Sequence, residues 1–132
     1  MADKKVSTKL LKGIYAANVP FAGISGLIML FAPEKMVPEG FDPLTTGIAG
    51  SITLSFAILS VFGFRAPLKF LPVLLIQLMY KSLWFVIVTI PLFIEGTFPS
   101  DSIPMVVIFA VYIGVLTYAI PIRTLLTETD TE

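Results

Sequence analysis

The sequence predicts an all-α integral membrane protein, a single membrane domain over residues 1–132. We expect a polytopic, four-transmembrane-helix antiparallel bundle with both termini cytoplasmic. Composition gives the first reason: 56% of the residues are hydrophobic and only 14% are charged, whereas about a quarter of the residues in a soluble domain are charged. So few polar residues cannot cover the surface of a soluble bundle.

Four long apolar runs give the second reason. They predict helices over residues 10–32, 44–64, 70–94 and 103–122, each close to the ~20 residues that a helix needs to cross the hydrocarbon core of a bilayer. Strands of a membrane barrel would alternate polar and apolar residues, which these runs do not. The first run is longer than the apolar core of a signal peptide and no clear cleavage site follows it, so we expect it to be retained.

Residues between the runs predict where helices begin. Asp42 followed by Pro43 is typical of a capping residue and a first-turn proline. Pro67, in a short basic turn, suits the start of the third helix, and Asp101 or Ser102 could cap the fourth. Connections this short make neighbouring helices antiparallel.

The basic residues give the orientation. With antiparallel helices, one side of the membrane receives Lys4, Lys5, Lys9, Lys12, Arg65, Lys69 and Arg123. The opposite side has Lys35, and most of the acidic residues of the loops: Glu34, Glu39, Asp42, Glu95 and Asp101. Because basic loops stay on the cytoplasmic side, both termini are predicted to be cytoplasmic.

Small residues spaced by four indicate how the helices pack. These stripes are Asn18, Ala22 and Gly26; Gly47, Ser51 and Ser55; and Ala110 and Gly114. Such stripes let helices approach closely in lipid. We expect them to hold the bundle together, with a dimer interface as the alternative. Pro20 and Pro91 are expected to kink their helices.

Lys81 interrupts the third run. At ~1.5 Å per residue it lies ~18 Å from Lys69 and ~21 Å from Glu95, farther than its side chain can reach. Placing a lysine there costs about 2.5–3.5 kcal/mol on insertion scales. No aspartate or glutamate occurs in the central part of any run, so the sequence offers no carboxylate at that depth.

Neutral polar and aromatic residues are predicted to surround Lys81. Gln77 and Trp84 lie one turn before and after it, on the same face. The predicted ligand-binding residues are Lys81, Gln77, Asn18, Tyr80, Trp84, Tyr112, Ser51 and Ser55. Lys81 would supply the charge and Gln77 and Asn18 would orient a head group. The aromatic residues among them would line the apolar part of the ligand.

Three interpretations of Lys81 remain open. It could be a positive charge kept for an anionic or electron-rich ligand, because an intramembrane ionisable residue indicates a functional site by default. It could be a neutral amine that braces the helices. It could also lie at a surface shared with a partner subunit.

Residue types that are missing narrow the chemistry. The chain has neither cysteine nor histidine, which removes thiol redox chemistry, haem ligation and nearly all zinc or copper sites. A hydrolase triad would lack its usual base, and proton-coupled pumps generally use carboxylates inside the bundle. We therefore assign no catalytic residue and no metal site, and a non-enzymatic role is favoured. Basic and acidic residues balance at nine each, so no nucleic-acid partner is expected.

Residues 47–85, GIAGSITLSFAILSVFGFRAPLKFLPVLLIQLMYKSLWF, have a glycine- and serine-rich second helix, a tight basic turn, and a Tyr-Lys pair near a tryptophan. This stretch resembles small bacterial inner-membrane proteins of the DoxX-like type. The resemblance implies location in the bacterial cytoplasmic (inner) membrane and an accessory role beside redox enzymes or in quinone-linked oxidation. It also implies a quinone- or lipid-like ligand near Tyr80, Lys81 and Trp84.

The leading hypothesis is an accessory or ligand-binding membrane protein with an intramembrane polar pocket around Lys81. No cofactor is predicted, and a quinone or a lipid is the candidate ligand. One alternative is an oligomeric transporter or channel for a small anion. Another is a structural subunit of a membrane complex. The expected partners are the lipid bilayer, a small apolar or anionic ligand, and further copies or other subunits.

Overall fold

The computed structural model describes residues 7–36 and 42–127, and within those ranges the chain is helical with no β-strand. The helices are α1 (Thr8–Phe31), α2 (Pro43–Arg65), α3 (Leu71–Trp84), a π-helical segment (Phe85–Thr89), α4 (Ile90–Glu95), α5 (Ile103–Ala119) and α6 (Ile122–Thr127). The predicted all-α class is confirmed. Three residues that the sequence assigned to a side of the membrane lie outside the described residues: Lys4, Lys5 and Glu39.

Among the described residues, four helical stretches are long and apolar enough to cross a membrane, which is the arrangement of a multi-pass membrane protein. They are Thr8–Phe31, Pro43–Arg65, Leu71–Glu95 and Ser100–Ala119, of 24, 23, 25 and 20 residues. Each coincides with one of the apolar runs. The prediction of four spans is therefore confirmed.

Two prolines affect helix ends differently from what the sequence predicted. The fourth helix was expected to reach residue 122, but α5 ends at Ala119 because Ile120 is extended (φ −86°, ψ 129°), as the residue before a proline prefers. The short α6 then begins after Pro121. Pro67 lies in a turn ahead of α3, so its expected place at the start of that helix is wrong.

Pro91 produces a wider helical turn in the third span. The N–H of Ile90 bonds to the carbonyl of Phe85, five residues earlier, instead of the usual four. Pro91 has no N–H, and in a regular α-helix its ring would collide with the carbonyl of Ile87. The π-helical segment before Pro91 relieves that collision, so helical structure continues to Glu95.

The predicted start of α2 is confirmed. The carboxylate of Asp42 accepts hydrogen bonds from the N–H groups of Leu44 and Thr45, each at 3.2 Å, and from the Thr45 hydroxyl, while Pro43 occupies the first turn. These bonds, that of the hydroxyl foremost, lower the pKa of Asp42 below its ordinary value. The capping prediction for α5 is not confirmed for Ser102, which directly precedes that helix but makes no side-chain cap bond.

The chain divides into two compact units, and the first is Ser7–Val73. Here α1 and α2 pack as an antiparallel hairpin, since Tyr15 meets Gly63 near one end and Gly26 meets Leu54 nearer the other. The Tyr15 hydroxyl donates to the carbonyl of Pro67 at 2.8 Å. Gly50, close to the side chain of Met29, also lies at this contact.

The small-residue stripes are only partly at helix contacts. Gly26 is at the α1–α2 contact as predicted. Ser51 and Ser55 are exposed, and a Cβ added at Gly47 or Gly114 would meet no atom of the described chain within 4 Å. The α2 and α5 stripes therefore do not pack against the described part of the chain, and Gly50 takes the place predicted for Gly47.

The second unit begins at Leu74 and, among the described residues, ends at Thr127. Its buried apolar residues lie on α3 and near the end of α5: Leu74, Leu78, Leu116, Ala119 and Ile120. Aromatic side chains of α3 and α5 contact one another in this unit. Lys81 lies among them.

Candidate functional site around Lys81

Lys81 is buried near the middle of the Leu71–Glu95 span, with only 4% of its surface exposed. The sequence predicted this depth from the length of the apolar run on either side. A lysine with so little exposure cannot be one whose ammonium has reached the membrane surface. Its partners must therefore be found locally.

The ammonium of Lys81 lies among aromatic rings. Its Nζ donates a hydrogen bond to the hydroxyl of Tyr80 at 2.7 Å, and lies 4.3 Å from the centre of that ring. The ring centres of Phe109 and Tyr112, both on α5, are 5.0 and 5.2 Å away. These distances permit cation–π attraction, which strengthens where water is excluded. In the described part of the chain no carboxylate pairs with this ammonium.

Phe109 contacts two of the other aromatic side chains near Lys81. Its ring makes edge contacts with Trp84 (5.2 Å between centres, 69°) and with Tyr80 (6.3 Å, 80°). Both are favoured geometries for aromatic pairs. We call Tyr80, Lys81, Trp84, Phe109 and Tyr112 the Lys81 cluster. Sequence analysis missed Phe109, although its spacing of three from Tyr112 on α5 places the two on one face.

Two donors of the Lys81 cluster have hydrogen-bonding capacity left over. An ammonium has three N–H donors, and one of those of Lys81 is taken by Tyr80. The Tyr112 hydroxyl is buried and has no hydrogen-bond partner among the described residues. Because buried polar groups are nearly always paired, an unpaired hydroxyl beside a buried ammonium requires an explanation.

The other predicted site residues have different positions. Gln77 is buried one helical turn before Lys81, and Asn18 is buried in the first unit. Ser51 and Ser55 are exposed on α2, and their hydroxyls donate to the carbonyls of Gly47 and Ser51, each at 2.8 Å. The structure thus places Tyr80, Trp84 and Tyr112 with Lys81, and gives the two serines local bonds that sequence analysis did not anticipate.

The chemistry available to the Lys81 cluster is recognition of a hydrogen-bond acceptor or an anion. Within residues 7–36 and 42–127, no group of three or more His, Cys, Asp or Glu side chains is placed to hold a metal ion. The cluster instead offers N–H and O–H donors beside aromatic faces. Such a set suits an apolar molecule that carries one acceptor group.

Comparisons of the chain with protein-family models, with curated proteins and with solved structures find no match. The resemblance of residues 47–85 to DoxX-like proteins therefore stays a prediction.

Proposed function

We propose that this multi-pass protein binds, inside the bilayer, a small apolar molecule whose anionic or carbonyl head group is held by Lys81. The observation that carries the proposal is a mid-span ammonium, 4% exposed, whose one hydrogen-bond acceptor in the described chain is the neighbouring Tyr80. The remaining N–H donors are available to a ligand.

The hydrogen bonding of Lys81 argues against a purely bracing role. A brace would donate to a carbonyl or side chain of a different helix, but Tyr80 belongs to the same turn of α3. The attraction to the rings of Phe109 and Tyr112 does link α3 to α5. Each such contact contributes about 0.5–2 kcal/mol, so the two together only about balance the roughly 2.5–3.5 kcal/mol that a lysine at this depth costs. A simple apolar residue would join the helices at lower cost.

The surroundings of Lys81 favour a lipid- or quinone-like body on the ligand. Tyr80 is 37% exposed and Trp84 is half-buried, so aromatic surface beside the ammonium is open to an apolar molecule. Aromatic side chains with few polar groups are typical of sites for such molecules. The protein would act as an accessory or carrier protein, since no catalytic group is assigned.

Replacing Lys81 by methionine is expected to abolish co-purification of the ligand, because methionine keeps the length of the side chain and removes its donors. Native mass spectrometry of protein extracted gently with its lipids measures this directly. The matched control is Lys69→Met, which removes a lysine from the exposed turn ahead of α3. The bound mass should appear in the wild type and in Lys69→Met only.

Three other results would contradict the proposal. Bare monomers in all three samples would leave Lys81 without a ligand. A second protein that is lost with Lys81→Met would favour a structural subunit. Anion flux in liposomes that Lys81→Ala reduces would favour a transporter or channel.

We further propose that the four spans form an antiparallel bundle in a bacterial cytoplasmic membrane, with both ends in the cytoplasm. The basic residues beside Ser7, the α2–α3 turn and α6 support this orientation. The chain has no cysteine, so single-cysteine variants can be labelled without background.

In intact cells, a membrane-impermeant maleimide is expected to label a Thr97→Cys variant and not a Thr127→Cys variant. Thr97 lies between α4 and α5 and Thr127 ends α6, and both are exposed. Thr127→Cys should react after the membrane is permeabilised. The reverse pattern would place the end of α6 outside, and labelling of both in intact cells would mean that α5 does not cross the membrane.

A further inference from the structure

We infer that the head group recognised by the Lys81 cluster is a carboxylate, held jointly by the Lys81 ammonium and the Tyr112 hydroxyl. This inference rests on the proposed function and narrows its ligand to a monoanionic amphiphile of the long-chain fatty-acid class. It also makes Tyr112 a binding residue for the head group, beyond lining the apolar part of a site.

Charge is the first argument. In the described part of the chain the Lys81 ammonium faces phenol oxygen and aromatic rings and no carboxylate. A buried charge without an opposite charge is strongly unfavourable, and the aromatic faces attract the ammonium without neutralising its charge. A neutral carbonyl would leave the net charge of the site unchanged. A carboxylate would neutralise it and gain charge-assisted hydrogen bonds.

The count of donors is the second argument. Two N–H groups of Lys81 and the O–H of Tyr112 have no acceptor in the described chain. The Tyr112 ring centre lies 5.2 Å from Nζ, so both side chains belong to the same cluster. A carboxylate has two oxygens with about four lone-pair positions. It can accept all three bonds, whereas a single carbonyl oxygen has two lone pairs.

Depth is the third argument. Lys81 lies near the middle of a 25-residue span, so ~15 Å of hydrocarbon separates it from either surface of a ~30 Å core. A phospholipid phosphate would have to bring its polar glycerol ester to that depth, at a large desolvation cost. A fatty acid has the carboxyl as its sole polar group. Its chain can occupy the hydrocarbon beside Tyr80 and Trp84.

Because the Tyr112 hydroxyl is unpaired, a binding role and a structural role predict different effects of removing it. Several hydroxyls on the helices bond to the carbonyl four residues earlier, as Thr117 does to Ile113 at 2.7 Å on the same helix. Those of Ser60, Thr89 and Tyr112 are buried without a hydrogen-bond partner among the described residues, and of these three Tyr112 is the one whose ring lies beside Lys81. The Tyr112 hydroxyl is buried and forms no hydrogen bond to a described residue. Its removal should therefore cost binding and leave the stability of the protein unchanged or slightly higher.

The test uses Trp84, the single tryptophan of the chain, as a reporter beside Phe109. In lipid nanodiscs, 2-bromohexadecanoate places a bromine quencher next to its carboxylate. Its methyl ester has the same bromine and carbonyl without the charge. We expect the acid to quench Trp84 saturably at concentrations where the ester does not. Tyr112→Phe should weaken the acid's binding roughly ten-fold, and Lys81→Met should abolish it.

Thr117→Val is the matched control, because it removes a hydroxyl of α5 that is already bonded within its own helix, and its binding should equal that of the wild type. Equal quenching by acid and ester would contradict the inference that the head group is a carboxylate, and would leave the proposed function unchanged. Quenching by the acid that persists in both Tyr112→Phe and Lys81→Met would show partition into lipid only, and would also overturn the inference. No quenching by either probe, together with no bound mass in native spectra, would contradict both the carboxylate inference and the proposed ligand-binding function.

Discussion

Replacing Gly26 by alanine is expected to destabilise the α1–α2 hairpin by about 1–3 kcal/mol or more. A Cβ at this position would lie 2.7 Å from the backbone nitrogen of Leu54 and 2.9 Å from its Cα. Backbone atoms cannot rotate away as the end of a side chain can, so α2 would have to shift as a whole. In lipid, helix association depends largely on van der Waals contact, and separation of the helices removes that contact along the hairpin.

The matched control for Gly26→Ala is Gly13→Ala in the same helix. A Cβ at Gly13 would meet no atom of the described chain within 4 Å, and alanine is the better helix former by about 1 kcal/mol. The two substitutions should therefore have opposite signs. Unfolding in mixed micelles with increasing SDS, followed by circular dichroism, measures both. If Gly26→Ala unfolds no more readily than Gly13→Ala, the close approach of α1 and α2 at this glycine is wrong.

The elements that sequence analysis predicted are those set by local chemistry or by composition. Asp42 and Pro43 specify a helix start from within one turn, and the structure confirms it. The four spans follow from the length of the apolar runs. Pro121 is also a local signal, and it could have placed the end of α5 three residues earlier than expected, because the residue before a proline avoids helical geometry.

Packing faces were harder to predict because an apolar helix has several equivalent stripes. In α2 Gly47 and Gly50 are both small residues in the same apolar run, and of the two Gly50 is the one that meets α1. In lipid no polar face marks the outside of a helix, so sequence spacing alone cannot decide between them.

The Lys81 cluster was predictable in part. Lys81 was evident because a charge in an apolar run is costly wherever it lies. Phe109 was missed because phenylalanine is common in every apolar run. The unpaired Tyr112 hydroxyl depends on how α3 and α5 face each other, which is a tertiary property.

Replacing Gly63 by alanine is expected to destabilise the hairpin through Tyr15. The added Cβ would overlap the Tyr15 ring, where it would meet the Cε1, Cδ1 and Cζ atoms. That ring is fully buried, and its hydroxyl donates to the Pro67 carbonyl at 2.8 Å. The ring cannot move aside without stretching this bond and disturbing its other neighbours. A cost of about 1–3 kcal/mol is expected in the same unfolding measurement.

A double-mutant cycle separates this clash from a general intolerance of alanine at Gly63. In a Tyr15→Leu background the ring is absent, so Gly63→Ala should cost much less, with a coupling free energy of about 0.5–3 kcal/mol. Gly23→Ala is the control, because its Cβ would make an ordinary 3.5 Å contact with Ala57 and should cost the same in both backgrounds. A Gly63→Ala cost that does not depend on residue 15 would contradict the Tyr15–Gly63 contact. A large coupling would establish that Tyr15 fixes the separation of α1 and α2 at this end of the hairpin, as Gly26 does nearer the other.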